Sequence, residues 1–237
     1  MTIIEKVNST SRTARVAGLL YLVIFCLGIF AELFIRQSLI VPADGAATVN
    51  NLMASEALFR LSLVSDLIRH TLLILLPLVL YQFLKSVNKN IALLMLVLAL
   101  MGIPIAFINE LNYFAVLLLL NGADSLAALG ADRLPAQVMF FLDLHGYGGY
   151  LAQVLSLWLL PLGYLVFKSG FLPRILGILL VLGCFGYLID AVSFFLFGSP
   201  IATLSLLAFI GELLFALWLL IRGVNLAGLE KRALEFV

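Results

Sequence analysis

The side chains best suited to chemistry in this chain are two histidines and several acidic residues that lie inside long apolar segments. His70 comes four residues after Asp66 and one after Arg69, and His145 comes two residues after Asp143. Residues three or four apart share a face of a helix, so Asp66 can reach both Arg69 and His70. A charged side chain at the centre of a bilayer costs about 2.5–3.5 kcal/mol on insertion scales, so such groups pair with one another or line a cavity.

Two kinds of chemistry fit these residues. Two imidazoles and one carboxylate, from Asp66, Glu110 or Asp143, form a ligand set suited to iron or zinc, and two axial histidines could instead grip a haem. The chain has no HExxH motif, no paired CxxC motif and only two histidines, so no metal is assigned and His70 and His145 are candidate ligands only. Alternatively, carboxylates and histidines exchange protons while an arginine holds an anionic group or an acidic neighbour.

The composition indicates that these residues sit in a lipid environment. Of 237 residues, 64% are hydrophobic and 11% are charged, and the mean hydropathy is +1.18; soluble domains are roughly 45–50% apolar and about 25% charged. A membrane span needs about 20 mainly apolar residues. Six segments qualify, which predicts an all-α polytopic transmembrane bundle forming one domain over residues 1–237, with spans at about 15–36, 61–84, 91–120, 137–167, 174–197 and 201–221.

Basic residues are distributed unequally between the two ends of the predicted spans. Ten fall on the side that carries both termini, whereas only Arg36, Arg60 and Arg133 fall on the other side and Arg69 lies within a span. The positive-inside rule then places the N- and C-termini in the cytoplasm. The net charge of +1 says nothing about nucleic acid, but the chain has no basic run or tail of the kind that would suggest it, so no nucleic-acid partner is expected.

Most polar residues inside the spans fall at similar depths, and Glu212 lies deepest, about 15 Å above Arg222 and near the midplane. Counting about 1.5 Å per residue from the basic end of each span places four of them at about 22–28 Å, in the outer leaflet. Tilt in the long third and fourth spans would bring others to the same level. The sequence therefore predicts an outward-facing polar cavity whose candidate ligand-binding or proton-relay residues are Glu32, Asp66, Arg69, His70, Glu110, Asp143, His145, Asp190 and Glu212.

Local patterns add expectations about structure. Apolar residues recur at helical spacing over 49–60, which predicts a short amphipathic helix in the first external loop. Pro104 and the glycine-rich stretch 146–149 are the places where the long third and fourth spans are expected to bend. Cys26 and Cys184 fall within spans and are expected to be buried thiols rather than disulfide or metal partners.

Several stretches carry a resemblance to a known family. The opening of the first span, Arg15-Val16-Ala17-Gly18-Leu19-Leu20-Tyr21-Leu22, is similar to the start of domain-of-unknown-function family 4386. Four further stretches resemble the same family: 47–51, 55–60, 80–89 and, most specifically, 162–177. The resemblance implies a multi-pass protein of about six helices in the bacterial cytoplasmic (inner) membrane. It implies no reaction, cofactor or site residue.

Three functions remain open at this point. The first is binding or passage of a small solute, a proton or a lipid headgroup through the polar cavity, with the lipid bilayer and a small molecule or ion as partners. The second is an intramembrane enzyme that uses a metal or haem held by His70 and His145. The third is a structural or regulatory membrane subunit whose buried charges only specify helix pairing. Oligomeric state is open, with a homo-oligomer as one alternative.

Overall fold

The computed structural model describes residues 3–122, 133–200 and 203–225, and every regular element in these ranges is helical. The α-helices are α1 Ile3–Ile29, α2 Gln37–Leu39, α3 Gly45–Ala54, α4 Glu56–Leu84, α5 Lys89–Asn109, α6 Leu111–Leu120, α7 Leu134–Val154, α8 Leu159–Lys168, α9 Arg174–Phe197 and α10 Ser205–Ile221. A π-helical segment, Phe30–Arg36, joins α1 to α2, and a 3₁₀ segment, Leu155–Trp158, joins α7 to α8.

Five of the resulting helical stretches are long and apolar enough to cross a membrane: Thr10–Leu39, Glu56–Leu84, Lys89–Leu120, Leu134–Lys168 and Arg174–Phe197. They coincide with the first five predicted spans and extend most of them by a few residues. The sixth predicted span corresponds to α10, which is apolar but shorter, at 17 residues; residues 201–202 of that prediction lie outside the described part of the chain.

The chain forms two compact units. Unit 1 consists of Met1–Val23, Leu72–Ile103 and Tyr150–Val237, and unit 2 of Ile24–Thr71 and Pro104–Gly149. Each unit is built from segments distant in sequence.

Glycines bring the helices of unit 1 into close contact. A Cβ on Gly183 of α9 would lie 2.8 Å from the Cα of Ala208 in α10, and a Cβ on Gly186 would lie 2.7 Å from the Leu204 carbonyl oxygen. Because the residue numbers rise along α9 as they fall along α10, the two helices are antiparallel. Helix α9 ends at Phe197, and Gly198 follows it with a φ of 76°, the left-handed conformation that glycine adopts at helix ends.

Unit 2 has its own apolar core, to which α3 contributes Val49 and Leu52. Buried residues of α3, α4, α6 and α7 meet in this cluster, among them Leu52, Phe59, Tyr113 and Val138. Asp44 caps α3 by accepting a hydrogen bond from the Ala47 amide at 2.9 Å. The predicted loop helix exists, but it spans Gly45–Ala54 rather than 49–60. The helix ends before Ser55, and residues 56–60 belong to the start of α4, the second span.

Helices α5 and α7 are continuous through Pro104 and through Gly146–Gly149, and the bends expected there stay predictions. Within the long helical stretches, departures from α-helix occur at Phe30–Arg36, at Glu110 and at Leu155–Trp158. Cys184 is buried as expected, but Cys26 is exposed, so the prediction of a buried thiol is wrong at that position. Cys26 lies on an apolar helix, where an exposed side chain faces lipid at little cost.

Candidate functional site

The π-helical segment of unit 2 places Glu32 and Arg36 at the start of a charged network. Glu32 Oε2 lies 2.8 Å from Arg36 Nε. The Arg36 side chain is only 6% exposed, whereas that of Glu32 is 51% exposed. Segments with π-helical hydrogen bonding are rare, and many occur at functional sites. A π-helical turn contains more residues than an α-helical turn, so it changes the direction in which the following side chains point. The side chain of Arg36, the last residue of this segment, is buried in unit 2.

Asp66 joins the two arginines of unit 2. Its Oδ2 accepts from Arg36 Nη1 at 2.5 Å, and its Oδ1 accepts from Arg69 Nε at 2.9 Å. Both oxygens of a side chain that is 1% exposed therefore have a cationic donor. A buried carboxylate paired in this way satisfies the requirement that charges removed from water be compensated. The predicted contact of Asp66 with Arg69 is confirmed.

Arg69 determines how the ring of His70 is protonated. Arg69 Nη2 lies 3.1 Å from His70 Nε2. A guanidinium can only donate hydrogen bonds, so Nε2 must accept, and the proton of the neutral ring is on Nδ1. Gly28 makes room for this arrangement, because a Cβ there would lie 3.3 Å from Arg69 Cδ. The ring of His70 also packs against Phe107, with centroids 5.4 Å apart.

Glu110 brings the two histidines together. Its Oε1 lies 3.4 Å from His145 Nε2 and 3.8 Å from His70 Nδ1. The second of these distances exceeds that of a hydrogen bond. Both His70 Nδ1 and Glu110 Oε2 are buried and have no hydrogen-bond partner among the described residues. A buried polar atom without a partner is costly and calls for an explanation in terms of function.

His145 is held from two sides. Its ring stacks on Tyr113 with centroids 3.6 Å apart and planes inclined by 18°, and its carbonyl oxygen accepts from Asn109 Nδ2 at 2.9 Å. Gly148 provides the space for this bond, because a Cβ there would collide with the Asn109 amide. Tyr113 also lies beneath the Arg36 guanidinium, whose Cζ is 5.0 Å from the ring centroid. One aromatic ring thus connects the arginine to the histidine.

The convergence of two imidazoles on one carboxylate matches the ligand types of the predicted metal site. Within residues 3–122, 133–200 and 203–225, however, no group of three or more His, Cys, Asp or Glu side chains is placed to hold a metal ion. The Arg69 guanidinium beside His70 Nε2 also opposes a cation there. The metal or haem hypothesis therefore gains no support from the described residues.

Two further predicted residues lie in unit 1 and have different surroundings. Glu212 accepts hydrogen bonds from the hydroxyls of Tyr21, at 2.9 Å to Oε2, and Tyr187, at 3.2 Å to Oε1. Asp190 accepts from the backbone amides of Leu204, at 3.1 Å, and Ser205, at 2.7 Å. Asp190 therefore caps the start of α10, whereas Glu212 is a buried carboxyl group whose hydrogen-bond donors are neutral.

The structure gathers six of the nine predicted site residues into one network: Glu32, Asp66, Arg69, His70, Glu110 and His145. Asp143 is exposed, because it is two residues from His145 and so projects from another face of α7. Sequence reasoning missed Arg36, Tyr113, Asn109 and Gly28. Only Arg36 and Tyr113 had a local signal, since each follows an acidic residue of the site by three or four positions.

The apolar helices and the buried ion pairs together define the class of protein: a helical integral membrane protein with charged side chains inside its transmembrane segments. Residues 16–223 match the family described as Domain of unknown function (DUF4386), and the chain belongs to that family. The expected resemblance is confirmed.

Over 79 residues the chain is 39% identical to an uncharacterized protein of Archaeoglobus fulgidus. The matched part is 33% of this chain and 46% of that protein, so the chain spans about half the length of this relative. No solved structure matches the chain.

Proposed function

We propose that this chain is a proton-binding and proton-carrying membrane protein in which Glu110 and His145 pass a proton between them. The supporting observation is the approach of His145 Nε2 to Glu110 Oε1, where the carboxylate has a second, unbonded oxygen. A proton that leaves Nε2 of doubly protonated His145 binds the Glu110 carboxylate and yields a neutral imidazole and a carboxylic acid. The transfer needs no further reactant.

The remaining charged residues of the network hold this pair in place. Arg69 donates a hydrogen bond to Nε2 of His70. His70 can therefore donate from Nδ1 towards Glu110, but it cannot relay a proton through its ring. His70 is therefore a positioning residue. His145, with a side chain 17% exposed against 5% for Glu110, is the member through which the pair exchanges protons with its surroundings.

Among the ligands that the sequence leaves open, a proton fits better than an anionic solute or lipid headgroup. An anion needs a cation that is not already compensated. Arg36 is bound to Glu32 and Asp66, and Arg69 is bound to Asp66. A phosphate or carboxylate would have to displace these acidic partners, whereas a proton needs only the Glu110 oxygens and His145.

A second buried carboxyl group supports the same activity. Glu212 of unit 1 receives its hydrogen bonds from two phenols, and hydroxyls can either donate to a carboxylate or accept from a carboxylic acid. We assign Glu212 as a second proton-binding group, independent of the first.

A structural role for the charged network is the alternative that a separate observation supports. Arg36 and Asp66 are 30 residues apart in sequence and join two different helices, which is what charges that specify helix pairing would do. In this alternative the ion pairs stabilise unit 2 and Glu110 takes up no proton.

We further propose six spans in the bacterial cytoplasmic membrane, with both termini in the cytoplasm. The support is the excess of basic residues at one set of span ends. Reporter fusions at residue 237 and in the loop around residue 199 test this arrangement, because the two positions should report opposite sides of the membrane.

Proton flux into reconstituted liposomes tests the proposed function. Under a potassium diffusion potential, an entrapped pH-sensitive dye should report acidification that is faster than in protein-free liposomes. Glu110→Gln should reduce this rate at least about tenfold, because a positioned acid–base group typically contributes about 10²–10⁴-fold. The matched control is Asp143→Asn, which removes an exposed carboxylate from the same unit and should leave the rate unchanged. Flux that is absent from the native protein, or equal in Glu110→Gln, contradicts the proposal.

A further inference from the structure

A long apolar groove runs along unit 1 between α5, α8 and α9. Its volume is about 510 Å³, and its lining is entirely apolar. Its lining includes Ile91 and Leu94 of α5, Tyr164 and Phe167 of α8 and Ile178 of α9. A volume in this range accommodates a small-molecule ligand or an extended apolar chain.

Two glycines form the floor of the groove. A Cβ on Gly163 would lie 2.6 Å from the carbonyl oxygen of Gly177, and a Cβ on Gly177 would lie 2.6 Å from the carbonyl oxygen of Gly163. Helices α8 and α9 therefore touch backbone to backbone at this level. Both glycines also line the groove.

Basic residues lie at one end of the groove. Arg174 is the first residue of α9, and its Cζ lies 5.7 Å from the ring centroid of Phe167, which lines the groove. Lys89 is the first residue of α5 and precedes the lining residue Ile91 by two positions. Both cations are exposed. Basic residues next to an apolar recess between transmembrane helices are typical of sites for anionic lipid headgroups.

From these observations we infer that the groove binds one acyl tail of an anionic phospholipid whose phosphate lies against Arg174 and Lys89. The tail removes the apolar walls from contact with mobile lipid, and the phosphate gains charge-assisted hydrogen bonds. This site is separate from the Glu110 network, and it needs no proton transfer.

The test uses phosphatidylglycerol with a photoreactive diazirine in one tail, in phosphatidylcholine nanodiscs that contain the full chain. Cross-linked peptides, identified by mass spectrometry, should come from the lining of α8 and α9. Phosphatidylcholine with the same photoreactive tail should label these peptides about fivefold less for each basic residue that contributes to headgroup binding. Equal labelling by the two lipids, or labelling spread evenly over the exposed faces of α9 and α10, overturns the inference.

Substitutions test binding of the tail and binding of the headgroup separately. Leu182→Trp fills the groove and should reduce labelling by phosphatidylglycerol, whereas Leu206→Trp on α10, also 58% exposed in the native protein, should not. Arg174→Gln should remove most of the preference for phosphatidylglycerol, and Arg174→Lys should keep it. If Leu182→Trp labels like the native chain, or if the preference survives Arg174→Gln combined with Lys89→Gln, the inference is wrong.

Discussion

The imidazole of His145 lies flat against the ring of Tyr113, with centroids 3.6 Å apart. The stack fixes the plane of the imidazole, so Nε2 is directed at Glu110 Oε1. Because Tyr113 also lies under Arg36, the orientation of His145 depends on the ion pairs of unit 2. The proposed proton exchange between His145 and Glu110 therefore requires the ring of Tyr113, although Tyr113 itself takes no part in the transfer.

Replacement of Tyr113 tests this relationship. Tyr113→Leu should remove the ring-current shift of the His145 ring protons and cost about 0.5–1.5 kcal/mol beyond the loss of buried area. Tyr113→Phe keeps the ring and should keep both the shift and most of the stability. Solution NMR of ring-labelled histidine in detergent measures the shift, with His70 as an internal reference. An unchanged His145 signal in Tyr113→Leu would show that the stack is not formed.

Removal of Asp66 should be strongly destabilising. Asp66→Asn leaves Arg36 without one of its carboxylate partners and Arg69 with only His70, in a region where an uncompensated charge is costly, and should lower the free energy of unfolding by about 3–5 kcal/mol. Unfolding in mixed micelles of increasing SDS content measures the change. The matched control is Glu56→Gln, which breaks the more exposed Glu56–Arg60 pair and should have little effect. Equal effects of the two variants would contradict the account of the buried network.

Two glycines of α7, Gly146 and Gly148, should respond in opposite directions to replacement by alanine. Gly148→Ala forces the Asn109 amide away from the His145 carbonyl oxygen and should destabilise the protein by about 1 kcal/mol. A Cβ at Gly146 meets nothing within 4 Å, so Gly146→Ala should stabilise α7 by up to about 1 kcal/mol. Thermal unfolding of the two variants side by side gives the sign of each effect. A destabilised Gly146→Ala variant would indicate that flexibility of this stretch is itself required.

Composition and local spacing were sufficient to predict the helical, apolar nature of the chain and the Asp66–Arg69 contact. The i,i+3 geometry of that pair depends only on the regular α-helix. The same reasoning expected Asp66 to hold His70, but the polar groups described next to the His70 ring nitrogens are Arg69 and Glu110. The side chain of Asp66 is already used by Arg36, which comes from another helix.

The rest of the site depends on information that residue spacing does not carry. The π-helical segment shifts the face on which Arg36 projects, and counting 3.6 residues per turn cannot reproduce that shift. Asp143 was grouped with the site because its depth is similar to that of His145, yet two residues this close in sequence diverge on a helix and Asp143 is exposed. Asp190 was grouped with the site by depth, but its oxygens are used to cap α10. Depth in a membrane does not distinguish a capping carboxylate from a functional one.

Infrared difference spectroscopy after a pH jump tests the central claim most directly, because it detects the carboxylic acid that Glu110 becomes on taking up a proton. The native protein should show a carboxyl C=O band that appears as the pH is lowered and shifts on exchange into D₂O. This band should be missing from Glu110→Gln, present in Asp143→Asn, and altered in His145→Asn, which removes the proton partner. A band of the same intensity in Glu110→Gln would show that Glu110 takes up no proton, and the charged network would then be structural.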